Sequence, residues 1–247
     1  MPIRDEKLTF VVDGQELAGT FIAPQAKKGP GILFVHGWGA SQHECLEPAR
    51  AAAELGCLCL IFDLRGHGLT KDQRVTVSRE DNLRDVIAAY DLLARRSGVD
   101  ASALGIVGTS YGGYLAALVT TLRQPSYLAL QAPAIYRDPD WLLPKLKLHE
   151  DPELVVYRRR IVSWNDNRAL QACAAFRGDV LIIESEQDVV VPHSVAESYA
   201  LACARARSVT SRVIAHADHG LSEKRWRSEY VSFLTGWLAQ IIGSDRS

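Results

Sequence analysis

Residues 31–35 (GILFV) and 57–62 (CLCLIF) are apolar throughout, with none of the alternation of a strand that keeps one face in water. Such runs suit strands covered on both faces, as inside a parallel sheet. Further strand-like runs follow at 104–107, 127–130, 180–183 and 209–214. Helical patterns lie between them. In 78–96, Leu83, Val86, Ile87, Tyr90 and Leu93 keep the i, i+3, i+4, i+7 spacing of one helix face. Ser78 and Asp81 stand at N-cap and N3 spacing, with Asp in place of the usual Glu or Gln. The Ala-rich stretch 46–55 stops at Gly56, as a helix C-cap would, and 192–205 and 222–242 read as two more helices. Asp13-Gly14, between 8–12 and 17–23, signals an antiparallel hairpin. This alternation predicts an α/β fold: a mostly parallel central sheet, the N-terminal hairpin as its antiparallel edge, and helices on both faces. Segment 132–178 breaks the rhythm, with only two short helical stretches at 153–160 and 168–176. It reads as a small cap within a single domain spanning 1–247.

The 247 residues are 47% hydrophobic and 23% charged, which excludes a disordered or collagenous chain. Lys and Arg total 28 against 29 Asp and Glu, so no general charge draws the chain to nucleic acid or an anionic membrane. No run of about 18 apolar residues occurs, and Met-Pro-Ile-Arg-Asp-Glu-Lys at the start lacks a signal-peptide core. Cys45, Cys57, Cys59, Cys173 and Cys203 contain no C-x-x-C pair and read as buried thiols in a reducing compartment. A soluble cytoplasmic protein acting on a small molecule is expected, with no nucleic-acid or membrane partner.

The sharpest motif is Gly108-Thr109-Ser110-Tyr111-Gly112-Gly113, between the run at 104–107 and a helical stretch at 114–122. G-x-S-x-G between strand and helix is the pattern of a nucleophile elbow. Ser110 in so sharp a turn needs small neighbours, and Gly108 and Gly112 supply them. The turn would lift the hydroxyl to the positive end of the following helix, where N–H groups face an incoming oxyanion. The bland alternative is a Gly-rich turn that only closes a strand–helix unit.

With His36-Gly37-Trp38-Gly39 after one apolar run and Asp63-Leu64-Arg65-Gly66-His67-Gly68 after the next, the sequence resembles the α/β-hydrolases from about 31 to 237. It is most similar to their compact esterase branch, with feruloyl and cinnamoyl esterases and dipeptidyl-peptidase-like hydrolases. Serine needs a base within reach, and the fold's chain order is Ser, then Asp or Glu, then His. The residues alone leave His193, His216 and His219 open as the base, and Glu184, Glu186, Asp188 and Asp218 as the acid. The resemblance implies His219 and Asp188, although Ser185 stands where the family usually has Gly. It also implies backbone N–H groups of Trp38 and Tyr111 as the oxyanion hole, and structural roles for His36 and His67. No His-x-x-x-His or Glu-x-x-His pair supports a metal site, and neither metal nor cofactor is expected.

Serine at position 110 disfavours the chemistry of relatives with Asp or Cys there. The expected reaction is hydrolysis of small to medium carboxylic esters through an acyl-enzyme. The family likeness points to aryl or hydroxycinnamoyl esters. Trp38, Tyr136, Trp141 and Trp164 are candidate pocket residues, with core packing the plain alternative; Tyr157 offers further aromatic surface in the cap. Arg158-Arg159-Arg160 suits either an anionic acyl-CoA or a solvated helix end. A peptidase or amidase, an acyl-CoA thioesterase, and a non-catalytic receptor on the same fold remain alternatives.

Overall fold

A computed structural model describes residues 2–25, 28–139 and 141–244. The hairpin of β1 (Ile3–Val12) and β2 (Gln15–Pro24) turns at Asp13 and Gly14, both with positive φ, at 51° and 77°. That pair of dihedral signs matches the twist of a tight hairpin turn. Next come β3 (Gly29–Val35), β4 (Leu58–Phe62), β5 (Val99–Thr109), β6 (Tyr127–Gln131), β7 (Asp179–Ser185) and β8 (Ser208–Ile214). Together they form one eight-stranded sheet in the order β1-β2-β4-β3-β5-β6-β7-β8. The hairpin joins antiparallel to β4, and every pairing from β4 to β8 is parallel. This is the α/β-hydrolase fold expected from the sequence.

The unbroken apolar runs have a direct cause. In β3, Leu33 and Val35 enter the core on one face, while Ile32 and Phe34 enter the core on the other. In β4, Leu58, Leu60 and Phe62 alternate with Cys59 and Ile61 in the same way. Both faces are therefore dry. One is covered by α2 (Arg79–Ala94), α3 (Tyr111–Val119), α5 (Arg168–Ala175) and α6 (His193–Ala202), the other by α1 (Leu46–Glu54) and α7 (Lys224–Ser244). Ser78 caps α2 in a full capping box with Asp81, so the shorter acid serves where Glu is usual. Two starts differ from the apolar pattern. β5 begins at Val99 because the polar residues before Leu104 extend the strand where Gly29 pairs with Val99 and Pro30 with Asp100. Helix α3 begins at Tyr111, immediately after Ser110, because the turn occupies a single residue.

Residues 132–178 form no strand among those described; they hold α4 (Pro152–Arg158), α5 and short 3-10 turns at Lys145–Glu150 and Trp164–Asp166. Helix α5 packs against α3 and α6. Buried Arg79 holds the segment's start, donating to the carbonyls of Arg137 at 2.7 Å and Pro139 at 2.8 Å. The Lys145 N–H donates to the Val77 carbonyl at 2.7 Å. No helix among the described residues is long and apolar enough to cross a membrane.

Candidate active site

Ser110 has φ 52° and ψ −113°, left-handed backbone that a residue with a Cβ rarely adopts. Its surroundings hold it there. The Ser110 N–H donates to the Gln131 carbonyl at 2.8 Å, and its own carbonyl accepts from the N–H of Ala134 at 2.9 Å. The two glycines are required by contact. A Cβ on Gly108 would lie 2.4 Å from the Gly112 carbonyl oxygen, and one on Gly112 would lie 2.2 Å from that of Val35. Strain of this kind, held by its neighbours, is typical of functional turns.

Three residues far apart in sequence converge at the carboxyl ends of β5, β7 and β8. His219 Nε2 lies 2.9 Å from Ser110 Oγ, and His219 Nδ1 lies 2.6 Å from Asp188 Oδ2. The other Asp188 oxygen accepts from the N–H groups of Val190 at 2.8 Å and Val191 at 2.7 Å. Backbone bonds from Glu186 to Ile214 and from Gln187 to Ala217 stitch the Asp188 loop to the loop carrying His219. With Nδ1–H donating to the carboxylate, Nε2 remains to accept the serine proton. The Asp188 side chain is 4% exposed and that of His219 is 22% exposed, so the relay is shielded but reachable.

The rival groups have other partners. Glu184 lies 2.7 Å from His193 Nδ1 and raises the pKa of that imidazole. Glu186 accepts from the His216 N–H at 2.7 Å and lies 3.3 Å from its Nδ1. Each carboxylate of 184–188 thus faces a different histidine, and only the Asp188 pair reaches Ser110. Asp218 bends to its own loop, accepting from the Ser222 N–H at 2.9 Å, and the Ser222 hydroxyl and N–H hold its pKa below the usual range.

Gly37 passes close to Ser110, since a Cβ there would sit 3.5 Å from the Ser110 Cβ. This loop is tied down by the two histidines of the sequence motifs. Buried His36 donates from Nδ1 to the Gly37 carbonyl at 2.8 Å and accepts the Leu64 N–H on Nε2 at 3.1 Å. Burial pushes its pKa down to about 4, which keeps it neutral. His67 accepts the Gly39 N–H at 3.0 Å, and burial lowers its pKa too. Tyr111 opens α3, so its N–H belongs to the first turn, where helical acceptors are lacking. Its hydroxyl meets Asn82 Oδ1 at 3.1 Å.

Lys145 was not singled out by the sequence. Its Nζ lies 4.8 Å from the Trp38 ring centroid, 4.9 Å from Tyr111 and 4.8 Å from Tyr136. Burial, with Arg158, Arg79 and Arg74 nearby, pushes its pKa down to about 6. No spacing rule picks out one lysine in a segment also carrying Lys147; only the packed rings do.

A cavity of about 670 Å³ opens beside Ser110 and His219, walled by Trp38, Thr109, Gln131, Leu221 and Tyr230 among others. It runs between the strand ends and the α1–α7 side. Trp38 is the only one of the four aromatic pocket candidates on its wall. Tyr136 is 4% exposed and packs its ring against Tyr111 and Tyr114. Trp141 is half-buried, donates to Glu80, and has the guanidiniums of Arg79 and Arg168 each 5.0 Å from its ring centroid. Trp164 is 49% exposed. A second cavity of about 800 Å³ lies at the other end of the strands, by Gly29, Val99 and Asp100. Open α/β sheets bind ligands at their carboxyl ends, which favours the cavity at Ser110.

Known proteins share this fold. Est1E from Butyrivibrio proteoclasticus, in a structure with ferulic acid bound, superposes with a TM-score of 0.73 at 15% identity, covering 94% of this chain and 98% of that one. Acylaminoacyl peptidase of Pyrococcus horikoshii matches at TM-score 0.71 and 17% identity, over 97% of this chain and 42% of that longer one. In sequence, an uncharacterised protein of Mycobacterium tuberculosis is 26% identical over 227 residues, 91% of this chain and 76% of its own length. A thiohydrolase of Aspergillus aculeatus is 32% identical over 107 residues, 42% of this chain and 33% of its own. The model of the prolyl oligopeptidase family matches residues 47–245. The chain belongs to the prolyl oligopeptidase family and is a hydrolase of the α/β-hydrolase superfamily.

Proposed function

We propose that this hydrolase cleaves small to medium carboxylic esters through a covalent acyl-enzyme. The observation that carries the reading is the hydrogen-bonded line from Asp188 through His219 to Ser110. Ser110 Oγ attacks the ester carbonyl carbon as its proton passes to His219 Nε2. Asp188 holds the ring and stabilises the imidazolium. The N–H groups of Trp38 and Tyr111 take the negative charge forming on the carbonyl oxygen. Collapse breaks the carbon–oxygen bond, and His219 protonates the departing alcohol. Water then gives a proton to His219 and attacks the acyl carbon, releasing the acid and restoring Ser110. Residues 132–178 form the small cap of a single domain, and the five buried thiols fit a cytoplasmic setting.

A peptidase reading rests on the prolyl oligopeptidase family model, because the same relay cleaves amides. Fluorophosphonate labelling, then turnover of p-nitrophenyl acetate against an aminoacyl p-nitroanilide, separates the readings. One label per chain is expected, lost in Ser110→Ala together with at least about 10⁴-fold of the ester turnover. Faster anilide turnover overturns ester preference in favour of the peptidase. Absence of both label and p-nitrophenol burst leaves a ligand receptor.

A further inference from the structure

Gln131 ends β6, paired in register with Thr109, the residue before the nucleophile. Its main chain is committed, since the carbonyl accepts the Ser110 N–H. Its side chain is not. Gln131 is 3% exposed, and its buried Nε2 donates to no group among the described residues. It also lines the cavity beside Ser110 and His219. Buried amide donors are nearly always satisfied, and leaving one unfilled is costly, so this one calls for a partner. Much of the cavity wall around it is apolar, including Phe34, Val107, Leu221 and Val231. Glu44, Glu47 and Arg227 also line the cavity, and a polar group with an unfilled donor among apolar neighbours orients a ligand and discriminates between ligands of the same shape.

We infer that Gln131 is a specificity-determining residue whose carboxamide donates to an oxygen acceptor on the substrate, close to the scissile carbonyl. This inference rests on the ester-hydrolase reading. The preferred substrates then carry an ether, hydroxyl or keto oxygen a few bonds from the reacting carbon, in place of a plain methylene chain. A site built to pair a polar group discriminates more steeply than one that only fills space. The carboxamide lies one strand over from Ser110, so the acceptor sits in the part of the substrate nearest the ester.

The test compares isosteric esters with the 247-residue chain, its active sites titrated by fluorophosphonate. p-Nitrophenyl methoxyacetate and butanoate differ by an oxygen in the acyl part; 2-methoxyethyl and butyl acetate differ by one in the alcohol part. Rates are divided by the hydroxide-catalysed rate of each ester, which removes intrinsic reactivity. The wild type is expected to favour the oxygen-bearing member of at least one pair by about tenfold in kcat/KM. In Gln131→Met that ratio falls to about one. A wild-type ratio near one in both pairs overturns the inference, and so does an unchanged preference in Gln131→Met. If Gln131→Met does not fold, Gln131→Leu decides, because its alkyl side chain cannot donate and must lose the preference. A wild type that is neither labelled nor active sinks the ester-hydrolase reading and this inference with it. A labelled, active wild type without the preference sinks this inference alone.

Discussion

On the α3 side of Ser110, Trp38, Tyr111, Tyr114 and Tyr136 pack ring against ring at centroid distances of 5.0 to 6.4 Å, with Lys145 among three of them. On the α1–α7 side, Thr109, Gln131, Leu221 and Tyr230 line an open cavity. The aromatic side is filled and the mixed side is open. Aromatic residues near a nucleophile invite the reading of a binding surface. Here Tyr111, Tyr114 and Tyr136 pack their rings on one another, where edge-to-face contacts add to the gain from burial. Open space is left where the side chains are more varied.

The contrast can be broken most forcefully at Tyr136. If the filled side is core, Tyr136→Ala removes a buried ring and costs about 3–5 kcal/mol, read as a lower urea midpoint. KM for small esters should stay within about twofold. A raised KM with an unchanged midpoint would make Tyr136 a substrate contact and the contrast false. The next effect concerns His36, which holds the loop shared by both sides. Its folded pKa of about 4 lies below the ordinary imidazole value of 6.5, so the unfolded chain takes up the proton first. This group's contribution is therefore full above about pH 6.5, falls as pH drops, and is lost by about pH 4. Up to about 3 kcal/mol is at stake. The stability gap between wild type and His36→Asn should shrink over that window in urea melts; a constant gap contradicts a neutral, buried imidazole. The smallest effect sharpens the contrast at its margin. Half-exposed Trp164 lies off the cavity wall, so Trp164→Ala should shift stability by less than about 0.5 kcal/mol. Ester turnover should change less than about twofold, and a larger loss would place Trp164 over the substrate.

The sequence was most informative where the backbone demands a particular residue type. Asp13-Gly14, Gly108 and Gly112 mark their turns because few other residues fit those dihedrals or contacts, and the two-faced strands show as unbroken apolar runs. The groups facing Ser110 were narrowed by chain order and then by family pattern, because Glu184, Glu186 and Asp188 look alike as letters. Only the fold pairs each with its own histidine. The pocket was the least legible part. A buried tyrosine in a core and one against a substrate have the same local sequence, and nothing around Gln131 or Lys145 marks either as buried near Ser110. Residues 99–103 were missed for a related reason: a strand end that faces water has no apolar signature.

The contacts at positions 108 and 112 make the turn around Ser110 a socket. Any side chain added to either glycine meets main-chain oxygen, so the frame admits almost no variation. The side chain at 110, by contrast, points away from those contacts toward His219. A thiol or a carboxylate could be seated in the same frame without moving a strand or helix, and the reaction would change while the architecture stayed put. In such a scaffold the reacting group is the replaceable part, and the two residues with no side chain are the fixed ones.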